Sequence, residues 1–263
     1  MHPILLEFGF VRIFTYGLLV ATGFFMAIML AAHLAKKEGM DPQQIIDLCF
    51  YIMIASLLGA RVLYIVVEHE YFTQYPLEAF KFWKGGLVFY GGLIGGMIAA
   101  AVYMKRQRMN FWKVADLLAP ALALGQGIGR WGCFFAGCCY GGKTDLPWAI
   151  VFTDPKSLAP LGVPLHPTQI YLSLNAIAIF LFLLWLLKRK QFDGQVIWSY
   201  GVLYSIGRFV IEYFRNDDRG FVIEGVLSTS QFVGILFLLI SIVMLIVLRA
   251  KSLRGRSNLP KGH

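Results

Sequence analysis

Hydrophobic residues in this chain come in blocks rather than in the short alternations of a soluble fold. Seven mostly apolar blocks lie at about 14–35, 45–67, 86–104, 116–135, 169–187, 195–215 and 230–248, separated by short polar segments. A helix crosses the hydrocarbon of a bilayer in roughly 20 such residues. The pattern therefore predicts an all-α polytopic membrane protein with seven transmembrane helices in one domain over 1–263. No repeat, low-complexity tract or long linker divides the chain. The third block, GGLVFYGGLIGGMIAAA, is rich in glycine, which lets helices approach closely. The fourth contains Pro120 and ends in GQGIGRWG. A helix broken over 125–132 is expected there, its unwound backbone buried in protein or lining a wet cavity.

Composition and charge support this reading. The chain is 58% hydrophobic and 15% charged, against about 25% charged in an ordinary soluble domain. The net charge of +9 would suit nucleic acid, but no basic patch is interleaved with aromatic residues, and no nucleic-acid partner is expected. In so apolar a chain, Lys and Arg mark the cytoplasmic face. Fourteen of the 24 fall in 36–44, 105–115, 188–194 and beyond 248, and six in the alternating segments 1–13, 68–85, 139–168 and 216–229. That asymmetry places the C-terminus in the cytoplasm and the N-terminus and the long segment 139–168 outside. The first block has no basic residues leading into it and no small-residue cleavage site after it, so no cleavable signal peptide is expected.

The remaining four basic residues, Arg61, Arg130, Arg208 and Arg215, fall within or at the ends of the blocks. An arginine at mid-span costs roughly 2.5–3.5 kcal/mol on insertion scales, so it faces a cavity or a partner unless it can snorkel from a helix end. Snorkelling is open for Arg61 and Arg215; Arg130 and Arg208 have polar neighbours. In YSIGRFVIEYFRNDDR, residues 204–219, Tyr204, Arg208, Glu212 and Arg215 recur every three or four positions and share one helical face. Arg208 and Glu212 can pair. That pair either locks helices together or aims the Arg208 fork at an anion, since a guanidinium grips phosphate with two parallel bonds. Arg130, in the glycine-rich stretch, could reach the same anion beside backbone N–H groups. Two arginines and backbone donors within a bilayer point to a lipid headgroup.

Of the four cysteines, Cys49 stands alone in an apolar block and reads as packing. Cys133, Cys138 and Cys139 form C-x4-C-C, without the C-x2-C spacing of structural zinc sites, and His166 is the only nearby histidine. No metal and no cofactor are expected. A disulfide involving Cys133 is open, because this end faces a compartment that is often oxidising. His166 opens HPTQIYLSL, either as a helix-start hydrogen-bonding group or as a site residue. There is no G-x-S-x-G, H-E-x-x-H or P-loop. The substrate is therefore expected to supply any nucleophile.

The polar motifs resemble those of the prolipoprotein diacylglyceryl transferase family, in the family's order and over about 15–250. GQGIGRWGCFFAGCCYG is similar to its G-R-x-G-N-F-x-N-G-E-x-x-G signature, and GGLVFYGGLIGG to its G-G-x-x-F-H-G-G-L-x-G segment. HPTQIY, TYGLLVATGF, YSIGRFVIEYFRNDD and LSTSQ match further segments. The resemblance implies a seven-span inner-membrane enzyme. Such an enzyme, its active site toward the periplasmic side, transfers the sn-1,2-diacylglyceryl group of phosphatidylglycerol to the lipobox cysteine in the signal peptide of a preprolipoprotein, forming a thioether and releasing glycerol 1-phosphate. It further implies that Arg130 and Arg208 hold the phosphate as charge develops on it. Tyr16, Tyr204, Glu212 and Arg215 would line or support the site, with Cys133 and His166 beside it, and Gly141 would close the signature loop.

Four positions depart from the family pattern. Tyr90 stands where the family has histidine, Cys133 and Ala136 where it has asparagine, and Cys138 where it has glutamate. An ordinary tyrosine, with a pKa near 10, is a weaker base than histidine for a thiol of about 8.5. Either Tyr90 acts by hydrogen bonding, or that position is not the base. Two other classes compete. A thiol-redox protein built on Cys133, Cys138 and Cys139 leaves Arg208 and Glu212 without a role and lacks C-x-x-C. A lipid binder or transporter accounts for the arginines, but the halves show no inverted repeat.

Overall fold

The protein is described from a computed structural model covering residues 2–8, 11–81, 85–215, 221–223 and 227–257. Asp217 and Asp218 of the 204–219 string, and the basic tail beyond 257, lie outside the described residues. A hairpin of β1 (Ile4–Phe8) and β2 (Val11–Phe14) opens the chain. The helices are α1 (Thr15–Lys37), α2 (Pro42–Val67), a short α3 (His69–Gln74) followed by a 3-10 turn (Pro76–Phe80), α4 (Phe89–Arg106) and α5 (Phe111–Ala136). Two-residue strands β3 (Ile150–Val151) and β4 (Pro164–Leu165) pair antiparallel before α6 (Thr168–Leu187) and α7 (Gln195–Glu212). Strands β5 (Phe221–Ile223) and β6 (Leu227–Ser228) precede α8 (Thr229–Ser257).

Each of the seven apolar blocks thus corresponds to a helix. Four of them, α1, α2, α6 and α8 over Thr229–Arg254, are long and apolar enough to cross a membrane. The other three carry polar or minimal side chains: Asp116 and Arg130 in α5, Arg208 and Glu212 in α7, and four glycines in α4. Large apolar side chains such as Phe25, Val62, Ile98 and Ile246 are exposed, as expected of surfaces that face lipid.

The chain divides into two compact units, residues 31–114 and residues 1–30 with 115–263. In the first, α2 begins at Asp41, whose Oδ1 accepts the Gln43 N–H at 2.9 Å ahead of Pro42 in the opening turn. The glycines of α4 then act as expected. Gly91 and Gly95 lie against the α2 backbone at Gly59 and Ala55, and a Cβ on Gly92 would stand 3.2 Å from the Ser56 carbonyl oxygen. Arg61 does not snorkel. Its side chain is buried, and its guanidinium donates to the carbonyl oxygens of Glu78 (2.6 Å), Ala79 (3.0 Å), Gly85 (2.7 Å), Gly86 (3.1 Å) and Lys81 (3.4 Å). Tyr64 and Phe72 flank it at 5.5 Å.

In the second unit the sequence reading needs correction. Helix α5 is not broken over 125–132 but runs unbroken through Pro120 to Ala136. Glycine in a helix interior costs roughly 1 kcal/mol relative to alanine, and here that cost is offset by close packing. A Cβ on Gly125 would meet the Gly23 carbonyl oxygen at 3.3 Å, one on Gly127 the Ile177 side chain at 3.1 Å, and one on Gly132 the Tyr16 carbonyl oxygen at 3.1 Å. Ser173 donates to the Gly127 carbonyl at 2.8 Å. These glycines thin the helix for its neighbours rather than unwinding it.

Asp116, fully buried on α5, joins three parts of this unit. It accepts the N–H groups of Gly194 (2.9 Å), Val196 (2.9 Å) and Ile197 (3.0 Å), with Lys190 at 3.3 Å. Helix α7 has no capping side chain of its own, so a carboxylate from another helix satisfies its orphan donors and meets its positive end. The segment 139–168 folds around Phe152, Ala159 and Leu165, with Tyr140, Ile150 and Val163 packed against them.

Candidate functional site

Helix α7 brings Arg208 and Glu212 together one turn apart. Their side chains pair at 2.5 Å, and both are about nine-tenths buried. Glu212 is a hub. Ser228 donates to its Oε1 at 3.2 Å, Ser230 forms a short hydrogen bond to the same oxygen, and Arg215 Nε lies 3.9 Å from Oε2. Ser230 also accepts from Arg208 at 3.3 Å. The carboxylate thus holds the Arg208 fork by one corner while two hydroxyls and a second guanidinium share its negative charge.

Arg215 is not on the helical face as expected, because α7 ends at Glu212. The chain turns there, Arg215 pairs in an isolated bridge with Gly141, and Gly142 N–H donates to the Phe214 carbonyl at 2.9 Å. The turn still returns Arg215 to Glu212. Gly141 sits where this turn meets the start of α6, its N–H on the His166 carbonyl at 2.9 Å. A Cβ there would collide with the Phe214 carbonyl oxygen and stand 2.6 Å from His166 Cβ and 2.7 Å from Thr168 Cγ2. Gly141→Ala must therefore shift backbone, and overpacking of this kind costs about 1–3 kcal/mol. It should lower both the midpoint of thermal unfolding and turnover. Unchanged values for both would show that the loop has slack.

Arg130 and Arg208 converge. With Gln126, Leu172, Asn175, Ala176 and Tyr204 they line one narrow cavity. Gln126 and Asn175 escaped the sequence reading; the signal for each was an amide side chain in an apolar helix. Tyr204 lines it too, stacked 5.7 Å from Tyr200. Tyr16 lines a second cavity of about 460 Å³ with Pro3, Phe14, Ala136, Cys138 and Leu158, an apolar chamber that also holds Lys156. His166 lies at the head of α6, its Nδ1 3.2 Å from the Tyr171 hydroxyl, which accepts from Trp148 Nε1 at 2.7 Å. The Tyr171 hydroxyl thus bridges Trp148 and His166, its role toward Nδ1 following the imidazole tautomer.

The cysteine loop begins where α5 ends. None of the four cysteines is in a disulfide. Cys133, Cys138 and Cys139 cluster with their sulfurs all within 4.8 Å of one another. The Cys139 thiol is held below the usual thiol range by hydrogen bonds from Cys133 and Cys138 and by Arg215, while Cys138, facing those two sulfurs, is pushed above it. Tyr90 belongs to the unit of residues 31–114, in the first turn of α4, exposed and edge-on to Phe89 at 5.8 Å.

Comparison with known proteins adds a family. A family model described as prolipoprotein diacylglyceryl transferase matches residues 3–247. The chain is 38% identical over 242 residues to the phosphatidylglycerol--prolipoprotein diacylglyceryl transferase of Clostridium tetani, covering 92% of this chain and 96% of that protein. It is 39% identical over 256 residues to the second such transferase of Clostridium perfringens, covering 97% and 98%. It is also 38% identical over 234 residues to that of Thermosynechococcus vestitus, covering 88% and 86%.

Proposed function

The chain belongs to the prolipoprotein diacylglyceryl transferase family, and from that premise we propose that it carries out the family's transfer, with Arg130 and Arg208 as its phosphate grip. The substrates are phosphatidylglycerol and a prolipoprotein; the acceptor is the thiol of the lipobox cysteine. The observation that carries this reading is the meeting of Arg130 and Arg208 in one narrow cavity with Gln126, Asn175 and Tyr204. Two guanidiniums and two amides can surround a phosphodiester with donors.

In the reaction, the cysteine sulfur attacks the glycerol carbon that carries the phosphate. The C–S bond forms as the C–O bond breaks, the electron pair leaves with glycerol 1-phosphate, and the thiol proton passes to a base. Negative charge grows on the phosphate oxygens in the transition state, where fixed cations stabilise it most. Glu212 keeps Arg208 extended toward the cavity and moderates its charge, and Arg215 supports Glu212 from the turn. The neighbouring chamber, apolar and walled by Tyr16 and Cys138, suits an acyl chain or the apolar part of a signal peptide.

In the membrane, the same reading has all seven long helices crossing the bilayer, with 139–168 on the periplasmic side. The excess of Lys and Arg in the segments assigned to the cytoplasm supports that orientation. Tyr90, standing where the family has histidine, acts as a hydrogen-bond donor. Tyr90→Phe should lower kcat by about tenfold, the worth of one hydrogen bond to a charged group; an undiminished rate would remove the phenol from the chemistry.

The test of function uses the purified protein in micelles containing phosphatidylglycerol, with a synthetic lipobox peptide. Glycerol phosphate should be released only when the peptide is present, and the peptide should gain the mass of a diacylglyceryl group. A folded protein that releases nothing, or releases glycerol phosphate without modifying the peptide, would overturn the reading.

A further inference from the structure

The C-x4-C-C sequence acquires its meaning from the way α5 ends. Gly137 has φ +75, and its N–H donates to the Phe134 carbonyl at 3.2 Å, while the Cys138 N–H donates to the Cys133 carbonyl at 3.1 Å. Together these bonds make a Schellman cap, in which the residue after the left-handed glycine folds back onto the residue five positions earlier. That contact is ordinarily between two apolar side chains. Here it joins Cys133 to Cys138, so the cap does for C-x4-C what a tight turn does for C-x2-C.

Cys139 adds a third sulfur at the expense of backbone strain. Its φ of +61 is a left-handed conformation, which costs a side chain with a Cβ about 1–3 kcal/mol and persists only where the surroundings enforce it. The enforcement is visible. Thr168 Oγ1 donates to the Cys139 carbonyl at 2.7 Å, and Gln169 Nε2 donates to the Cys138 carbonyl at 2.8 Å. Both of those side chains belong to fully buried residues. The Gln169 Oε1 is buried and unpartnered among the described residues, next to the loop that carries the thiols. The loop is fixed from outside, and its three half-buried thiols are gathered before any ligand arrives.

We propose that Cys133, Cys138 and Cys139 bind one soft d10 metal ion, cuprous copper or zinc, through three thiolates. Thiolate donors select such ions over harder ones. At a metal–sulfur bond of about 2.3 Å, the three sulfurs sit roughly 3.8–4.0 Å apart, so from within 4.8 Å they close in by less than about 1 Å. A disulfide would use two of the sulfurs and leave the third without a purpose. Three thiolates around a monovalent or divalent ion leave net negative charge. Arg215, which bonds the Cys139 sulfur, and Arg130, beside Cys133, offset it. With three protein ligands, cuprous copper is trigonal, and zinc keeps a fourth position for water.

The test loads the full-length protein in detergent, reduced and under argon, with Cu(I) or with Zn(II), and measures bound metal after desalting. About one ion per chain is expected with at least one of the two ions. Uptake should persist in Cys49→Ser and be lost in the triple Cys133→Ser, Cys138→Ser, Cys139→Ser variant, with circular dichroism and gel filtration confirming that each variant is folded. Cadmium should give a sulfur-to-metal charge-transfer band in the wild type and in Cys49→Ser but not in the triple variant. Cys139→Ser alone, which keeps the capped pair, should weaken binding at least about tenfold. No uptake of either ion by the reduced wild type, or equal uptake by the folded triple variant, would overturn the site. So would a disulfide between two of these cysteines that re-forms in air while no metal is taken up, which would make the cluster a redox pair.

Discussion

Replacing Arg208 with alanine should lower turnover at least a hundredfold while leaving the helices assembled. Removal of a single preorganised donor to a developing oxyanion costs about 10²–10³ in rate, and Arg208 supplies a fixed charge as well as two donors. Removing one member of a buried ion pair usually damages the fold, but here Glu212 keeps Ser228 and Ser230 on Oε1 and Arg215 at 3.9 Å. The carboxylate is therefore not stranded. Arg208→Lys sharpens the test, because lysine retains the charge and the pairing with Glu212 but cannot present two parallel N–H bonds. Turnover should remain at least about tenfold down in the lysine variant, the effect of losing one good hydrogen bond. Full turnover with lysine would reduce the role of Arg208 to charge alone. Loss of assembly in the alanine variant, seen by gel filtration in detergent, would make Arg208 a structural residue.

Asp116→Ala should have the opposite signature, with loss of the folded protein rather than of the chemical step. The substitution leaves three backbone N–H groups at the start of α7 without an acceptor and takes away the 3.3 Å partner of Lys190. Breaking a buried charged pair costs about 3–5 kcal/mol, a large share of the roughly 5–15 kcal/mol that stabilises a folded protein. Thermal unfolding in detergent should shift strongly downward, and expression at ordinary temperature should fall. Asp116→Asn, which retains one acceptor oxygen, should recover part of the loss. Near-normal stability of the alanine variant would mean that water replaces the carboxylate at the head of α7.

These two residues differ in how far the sequence disclosed them. Arg208 and Glu212 are legible because a four-residue spacing between opposite charges in an apolar run has few interpretations. Asp116 is not, because its partners are backbone groups 78 to 81 positions away and leave no pattern of side chains. The helices themselves were legible as apolar blocks, though not their ends. Helix α5 starts at Phe111, before its block, because Asn110 Oδ1 accepts from the N–H groups of Trp112 and Lys113 and so caps a polar first turn. At the other extreme, the glycines over 125–132 read equally well as a break or as a packing face, and only the positions of Gly23, Ile177 and Tyr16 decide between them. The C-x4-C-C spacing does not disclose that the three sulfurs lie within 4.8 Å of one another, because a rule based on spacing takes no account of the cap at Gly137.

The buried guanidinium of Arg61 bears on how this protein is made. The carbonyl groups of Glu78, Ala79, Lys81, Gly85 and Gly86 converge on that one side chain, and that of Glu78 also accepts the Lys81 N–H at 3.1 Å. During synthesis these carbonyl groups gain the Arg61 donors only once α2 is in place, because that guanidinium arrives on a helix completed earlier in the chain. Biogenesis in the unit of residues 31–114 is therefore ordered, with α2 inserted first and residues 78–81 and 85–86 folding onto it. A protease added to stalled nascent chains should cut at 78–81 and 85–86 readily when Arg61 is replaced and slowly when it is present.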